Sequence, residues 1–330
     1  MSQSSSPPSP LPTHGRPDTG QSVEDATAQI GALYDAHCHI VDDAPEQYPL
    51  VDELQTRRLC LMGTRPRDWP AVRRLAQQYP HKIQPAFGLH PWYAEQDASP
   101  PAPRSGESGL WWLPMLRAYL ADCPEAIVGE IGLDKVARDK ETGERYDQTR
   151  QQEAFAAQFE LAAELARPVS IHCVQHQGAL VDYLLERARH ATRWPTHIML
   201  HSYTGSADTV KRLLRLETQL ARASPHHAAE DRVCRVPRFY FSISAVINGR
   251  CRRKTQLWLR EVPMERLLLE SDIHEVGQVD ALMEQVCQLV SELASTSLTI
   301  EQIKARTWQN AQTFFGPSTA TCHRHKGLPG

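Results

Sequence analysis

His37 and His39 stand two residues apart in Asp35-Ala36-His37-Cys38-His39, and Glu130, His172, His201 and Asp272 follow at intervals down the chain. Each of the six lies in or just after a short apolar run, and His90 ends another. Neutral imidazoles suit zinc, manganese and similar ions, and a carboxylate can bridge two ions. Two cations about 3.5–4 Å apart lower the pKa of a shared water and clamp the oxygens of an attacked phosphate. Glu130 lies between the two halves of the histidine set and is the natural bridge. Asp272 is placed to ligate the first ion and to accept a proton from the attacking water. The His-x-His pair is a weak signal alone: the chain has 15 histidines, and a second pair, His323 and His325, falls in a polar tail with no role assigned. The weight comes from six ligand types at the ends of five runs, where a bland set would mix Ser, Thr, Asn and Lys.

The elements that must position them are eight strand-length apolar runs, at 34–40, 58–64, 83–90, 126–134, 168–174, 197–203, 239–245 and 267–273. Helical segments are expected between most of them, at 68–79, 109–121, 148–166, 178–190, 206–220, 254–260 and 278–294, with a last helix at 299–315 closing the bottom. The first connection, 41–57, carries Pro45 and Pro49 and reads as a loop or a short turn of helix. Eight strands with helical crossovers fit an α/β TIM (β/α)8 barrel better than an open sheet. In that fold the C-terminal strand ends converge on one face, where the ligand types fall. A spacing of two then points both His37 and His39 into the barrel.

The expected organisation is a polar tail at 1–28 without a core to bury, a barrel domain at 29–317 and a flexible tail at 318–330. Three segments read as surface insertions: 97–108, 135–147 and 221–237. A net charge of −3 gives no global attraction to nucleic acid or acidic membranes, so polyanion binding needs a local patch. No apolar run is long enough for a membrane span, and the N-terminus does not read as a signal peptide. Eight cysteines without a CxxC pair suit reduced structural thiols in a cytoplasmic or nuclear protein. Cys38 and Cys173 neighbour ligands but alternate away from the barrel axis, as packing residues.

The chain resembles the TatD family of metal-dependent deoxyribonucleases. The matching stretches are AspAlaHisCysHis at 35–39, GlyLeuHisPro at 88–91, GlyGluIleGlyLeuAsp at 129–134, SerIleHisCys at 170–173, LeuHisSerTyrThrGlySer at 200–206, LeuLeuGluSerAsp at 268–272 and ThrTrpGlnAsnAlaGlnThrPhePheGly at 307–316. They follow the family order over about 34–316. The resemblance implies a first metal on His37, His39, Glu130 and Asp272, and a second on Glu130, His172 and His201. It gives His90 the place of a phosphate-contacting histidine. The two divalent ions would be Zn, Mn or Mg. The long insertions are similar to a fungal branch, some members of which are described as partners of the cell-cycle machinery. After the strand-8 acid the family usually reads Ser-Pro-Tyr or similar; here Ile273, His274 and Glu275 stand, which puts the substrate pocket in question.

Arg250, Arg252, Arg253 and Lys254 follow strand 7 and could hold phosphates beside the metals. Trp92 and Tyr93 could stack on a base or pack as rim aromatics, and His176 could face the site or lie on the surface. The leading expectation is a 3′–5′ deoxyribonuclease acting on single strands or 3′ ends. Two alternatives stay open: hydrolysis of another ester or amide by the same cage, and a scaffold that binds a protein partner through 97–108 and 221–237.

Overall fold

A computed structural model describes residues 31–95, 110–139, 141–223, 236–294 and 297–316. Eight parallel strands follow one another in sequence order: β1 (Tyr34–Cys38), β2 (Arg58–Gly63), β3 (Ile83–Phe87), β4 (Ile127–Asp134), β5 (Val169–Val174), β6 (His197–Leu200), β7 (Arg238–Ser244) and β8 (Leu267–Glu270). Past the end of β8, Asp272 N–H donates to His37 O at 3.0 Å and His39 N–H donates to Ile273 O at 2.8 Å. These bonds bring the sheet round on itself as a nearly closed TIM barrel.

Among the described residues the crossovers carry helices α1 (Trp69–Gln78), α2 (Leu113–Asp122), α3 (Gln148–Glu164), α4 (Gln177–Ala188), α5 (Ala207–Ala223), the short α6 (Ala245–Asn248), α7 (Arg252–Leu259) and α8 (Val279–Leu293). A last helix, α9 (Ile300–Phe315), starts at a capping box between Thr299 and Gln302. The first connection is short helix rather than open loop: 3₁₀ turns span Ile40–Asp42 and Pro45–Glu53, the second with Pro45 in its first turn. No described helix is long and apolar enough to cross a membrane.

Two apolar layers follow from the alternation of the strands. One packs the outward residues, such as Leu59, Leu61, Val128, Ile171 and Leu200, against the helices. The other fills the lower barrel with Tyr34, Ala36, Cys60, Met62, Ala86, Ile127, Met199, Tyr240 and Leu268, and α9 seals it with Trp308 and Phe314. Tyr34 stacks on Phe315 with centroids 4.7 Å apart.

In β1 and β4 the alternation does not run through. Ala36 lies in the inner layer and Cys38 in the outer one, so the inward face has passed to His37 and His39. Ile127 is inner while Val128 and Ile131 are both outer, which leaves Glu130 inward. The pairing register shifts at these two places, between Asp35 and Cys38 and between Val128 and Ile131. A strict period of two from Ile127 would have faced Glu130 outward with Val128.

Several strands end short of the expected runs. β6 stops at Leu200 and β8 at Glu270, because Ser202 (φ 36°) and Asp272 (φ 54°) take left-handed conformations that cannot continue a ladder. The charged segment 135–147 folds back on itself through a bridge between Arg138 and Arg145. The insertion at 97–108 and most of that at 221–237 lie outside the described residues, as do both tails. Cys38, Cys60, Cys173, Cys251 and Cys287 are free thiols, as expected, but Cys123 is disulfide-bonded.

His197 opens β6 at the barrel bottom and donates from Nδ1 to Phe314 O at 3.1 Å, tying down α9. Burial lowers its pKa from 6.5 to about 4. The unfolded chain therefore takes up this proton near pH 6.5 while the folded chain stays neutral, so stability falls as pH drops from about 6.5 to about 4. His197→Gln removes this titration. The stability advantage of wild type over the variant should shrink through that window, as read by urea unfolding at stepped pH. A constant difference would show that His197 is not held neutral.

Candidate metal centre

At the upper end of the barrel the Glu130 carboxylate, 2% exposed, sits inside a ring of imidazoles. Its Oε2 lies 3.3 Å from His37 Nε2 and 3.4 Å from His39 Nε2. Its Oε1 lies 2.7 Å from His201 Nε2, 2.9 Å from His172 Nδ1 and 3.3 Å from His90 Nε2. Asp272 joins the Oε2 side, with Oδ1 3.6 Å from His39 Nε2. The two carboxylate oxygens thus face two different donor groups: His37, His39 and Asp272 on one side, His172, His201 and His90 on the other.

The far nitrogens of three of these rings are also addressed. His37 Nδ1 meets the Ser170 hydroxyl at 3.0 Å, His172 Nε2 meets Asp134 Oδ2 at 3.2 Å, and His201 Nδ1 points toward Glu270 Oε1 at 3.4 Å. The Ser170 hydroxyl and the Asp134 carboxylate fix the orientation and tautomer of His37 and His172, whereas His201 Nδ1 makes no hydrogen bond to Glu270. Asp134 is itself held by the Trp92 indole N–H (2.8 Å) and by the N–H groups of Val136 and Ala137. Burial pushes its carboxyl up, but the bonds from His172 and Trp92 outweigh this and hold it at about 2. Two buried glutamines of α3 fasten the backbone nearby: Gln151 grips Asp134 N–H and C=O, and Gln158 grips Leu89 on both groups. Gly132 lets β4 and β5 close up here, since a Cβ on it would lie 1.9 Å from His172 O.

The donor set fits divalent cations. His37 and His39 bring their Nε2 atoms to 3.2 Å of each other, and His172 Nδ1 lies 3.2 Å from His201 Nε2. Lone pairs that converge in this way on a carboxylate suit an ion between them. Charge points the same way. Asp35, Glu130, Asp134 and Glu270 are all at most 3% exposed, and no Lys or Arg is among the buried described residues. His201 Nδ1 and Glu270 Oε2 are buried without a hydrogen-bond partner. Burial raises the Glu130 carboxyl, but the surrounding imidazoles, His90, His201 and His37 foremost, hold it well below its ordinary range.

The family model described as TatD related DNase matches residues 34–316. The chain belongs to that family. It is 30% identical to Cut9-interacting protein scn1 of Schizosaccharomyces pombe over 350 aligned residues, covering 86% of this chain and 98% of that protein. It is also 30% identical to the 3′-5′ ssDNA/RNA exonuclease TatD of Citrobacter rodentium, over 65% of each chain. The solved structure of YJJV, a TatD homolog from Escherichia coli, superposes with a TM-score of 0.64 at 22% identity, covering 88% of this chain and all of that one. The chain is thus a hydrolase of the TatD family on the barrel that the sequence implied.

In this TatD-family protein the cavity over the cluster is ≈ 570 Å³ and is lined by His39, His90, Glu130, His172, His201 and Asp272, with Trp92, Tyr93, Arg250 and His274 nearer its mouth. Of the three arginines expected to bind substrate, only Arg250 lines it. Arg252 instead pairs with Glu292 over a separate groove, and Arg253 and Lys254 are exposed on α7 away from the cavity. The reason is that helix begins at Arg252, so successive side chains diverge by about 100°. His176 precedes α4 and does not line the cavity. At the departure from the family pattern, Ile273 and His274 form part of the wall. His274 pairs with Asp42 at 2.9 Å and stacks on His39 with centroids 5.0 Å apart.

Asp134, Glu270, Ser170, Gln151 and Gln158 went unrecognised as supports in the sequence. Asp134 and Glu270 did carry a signal, each sitting an even number of residues from a ligand on the same strand face. Asp134→Asn should weaken metal binding about 10- to 100-fold, the usual effect of losing an outer partner of a ligating histidine. Titrating chelator-stripped protein with Zn²⁺ or Mn²⁺ tests this; unchanged affinity would remove His172 from the donor set.

Proposed function

We propose that this chain is a deoxyribonuclease of 3′–5′ exonuclease type that cleaves single-stranded ends with two divalent cations. The observation that carries the reading is the split of Glu130 between two donor groups, Oε2 toward His37 and His39 and Oε1 toward His172 and His201. His37, His39, Glu130 and Asp272 would hold one ion, and Glu130, His172 and His201 the other. Ions bound there supply Lewis acidity toward a phosphate oxygen and toward water.

The remaining roles belong to the side chains. Asp272 is half-buried, and this desolvation pushes its carboxyl up, but the hydrogen bond from His39 and the charge of neighbouring imidazoles hold it at about 2. It is therefore an anion at neutral pH and can take the proton of an attacking water. His90 is kept neutral by burial, with its pKa lowered to about 4. Its Nδ1 accepts the Trp92 backbone N–H at 3.2 Å, so Nε2 carries the proton. That N–H, 3.3 Å from Glu130 Oε1, is a donor for a phosphate oxygen entering the cluster. Arg250, on the cavity wall, offers a second contact to the phosphodiester backbone.

The test is metal-dependent release of nucleotides from single-stranded DNA after chelation and metal add-back. Wild type should recover activity with Mn²⁺, Mg²⁺ or Zn²⁺, and Glu130→Ala should stay at least about a hundredfold lower. A wild type that holds metal but cleaves no nucleic acid would sink the nuclease reading and move attention to other esters.

A second role, binding a protein partner, is favoured by the name of the S. pombe relative, a Cut9-interacting protein. The insertions at 97–108 and 221–237 are the segments we assign to it. Deleting 221–237 should abolish capture of a Cut9-like partner while leaving hydrolysis intact; loss of both together would argue against a separate binding role.

A further inference from the structure

Among the described residues Trp92 is one of the few large apolar side chains that remain open, 39% exposed on the wall of the cavity that holds the histidine–carboxylate cluster. Its position is not that of a loose rim residue. The indole N–H donates to Asp134 at 2.8 Å, so the ring cannot turn without breaking a charge-assisted bond. His90 and His172 meet it at 88° and 76°, and no ring lies parallel to it among the described residues. Neighbouring Tyr93 differs, because the Arg65 guanidinium already sits 4.1 Å from its ring centroid. The cavity therefore offers one rigid aromatic plane without a stacked partner, about 5–6 Å from two imidazoles of the cluster.

We propose that Trp92 is a nucleobase-stacking residue that makes this chain select unpaired nucleotides. The inference rests on the nucleic-acid reading above and names a specificity determinant of that same site. Every base offers a flat π-face, so stacking on the indole is tolerant of sequence. A base within a duplex has both faces covered by its neighbours and cannot reach the ring without being unstacked. The ring is also joined through Asp134 to His172, so the surface that takes the base is held in register with the cluster.

The experiment uses the metal-loaded full chain on a short oligodeoxythymidylate and on its wholly abasic tetrahydrofuran counterpart. Trp92→Ala should raise KM about 10- to 100-fold on the base-bearing oligomer, the size of one base–aromatic stack, and leave KM on the abasic oligomer unchanged. Trp92→Phe keeps a ring but loses the indole N–H. It should restore KM while lowering kcat on both oligomers, because only the hold on Asp134 is gone. Metal content is measured for each variant. An equal rise in KM on both oligomers, or no rise, overturns the proposal, as does a Phe variant that behaves like Ala.

If the wild type cleaves neither oligomer, the nuclease reading fails, and the stacking surface is judged separately by quenching of tryptophan fluorescence. Thymidine monophosphate should then quench wild type but not Trp92→Phe, and deoxyribose 5-phosphate should quench neither. Quenching that is the same in both proteins would overturn the proposal on its own.

Discussion

The barrel encloses Asp35, Glu130, Asp134 and Glu270 with almost no exposure, and no lysine or arginine is buried among the described residues. Each buried carboxylate carries a desolvation penalty of several kcal/mol that must be offset by opposite charge or by hydrogen bonds. Asp134 is met by Trp92 and two backbone N–H groups, while at Asp35 burial outweighs the bonds from Ser271 and the His37 backbone and pushes the carboxyl up to about 7. Glu130 has no comparable donors apart from the imidazoles around it. A divalent cation held by this cluster would supply the missing charge, and hydrolysis would draw on the same ion. The need to neutralise Glu130 and the capacity to hydrolyse would then be one property.

That requirement explains departures from regularity that would otherwise look like defects. The register shifts in β1 and β4 span His37 and Glu130 themselves, where an unbroken alternation would have carried the apolar lower layer upward. Ser202 and Asp272 adopt left-handed backbone at the same level, a conformation that costs on the order of 1 kcal/mol or more for residues other than glycine. The Asp272 turn lets its N–H bond to His37 O, and that bond ties β8 to β1. Ser202 in turn sends its N–H to Glu270 at 2.7 Å and its hydroxyl toward Asp272 at 3.3 Å. Closure of the sheet and assembly of the donor set use the same peptide units.

The strands, the helices between them and the six side chains that cluster at the barrel's upper end were legible in the sequence, because both rest on local pattern: apolar runs of strand length, and metal-competent residues at their ends. What was not legible depends on contacts distant in the chain. Nothing near Glu130 announces the shift that turns it inward, since the shift is a relation between β4 and β5. The arginines after β7 read as one basic cluster, yet the start of α7 at Arg252 separates Arg250 from the rest. Gln151 and Gln158 look like ordinary helix residues. Their role appears only when α3 packs against the barrel and both amides turn inward. The Trp92–Asp134–His172 connection joins residues from three strand ends, and no spacing in the sequence encodes it.

The two ends of the barrel divide the work differently from a simple contrast of stability below and function above. The lower layer is apolar and plugged by α9, so burial of apolar surface alone can hold it together. The upper layer is polar throughout: Ser170, Ser242, Ser244 and Glu270 occupy inward positions where the lower layer has Met199, Tyr240 and Leu268. Such a layer gains little from the hydrophobic effect and is ordered mainly by hydrogen bonds. The α3 glutamines matter because they anchor this weaker layer to a helix that is itself packed in the apolar shell. Precision at the cluster thus comes from below and from outside, through backbone held at Leu89 and Asp134, and the ligands themselves do not have to provide it.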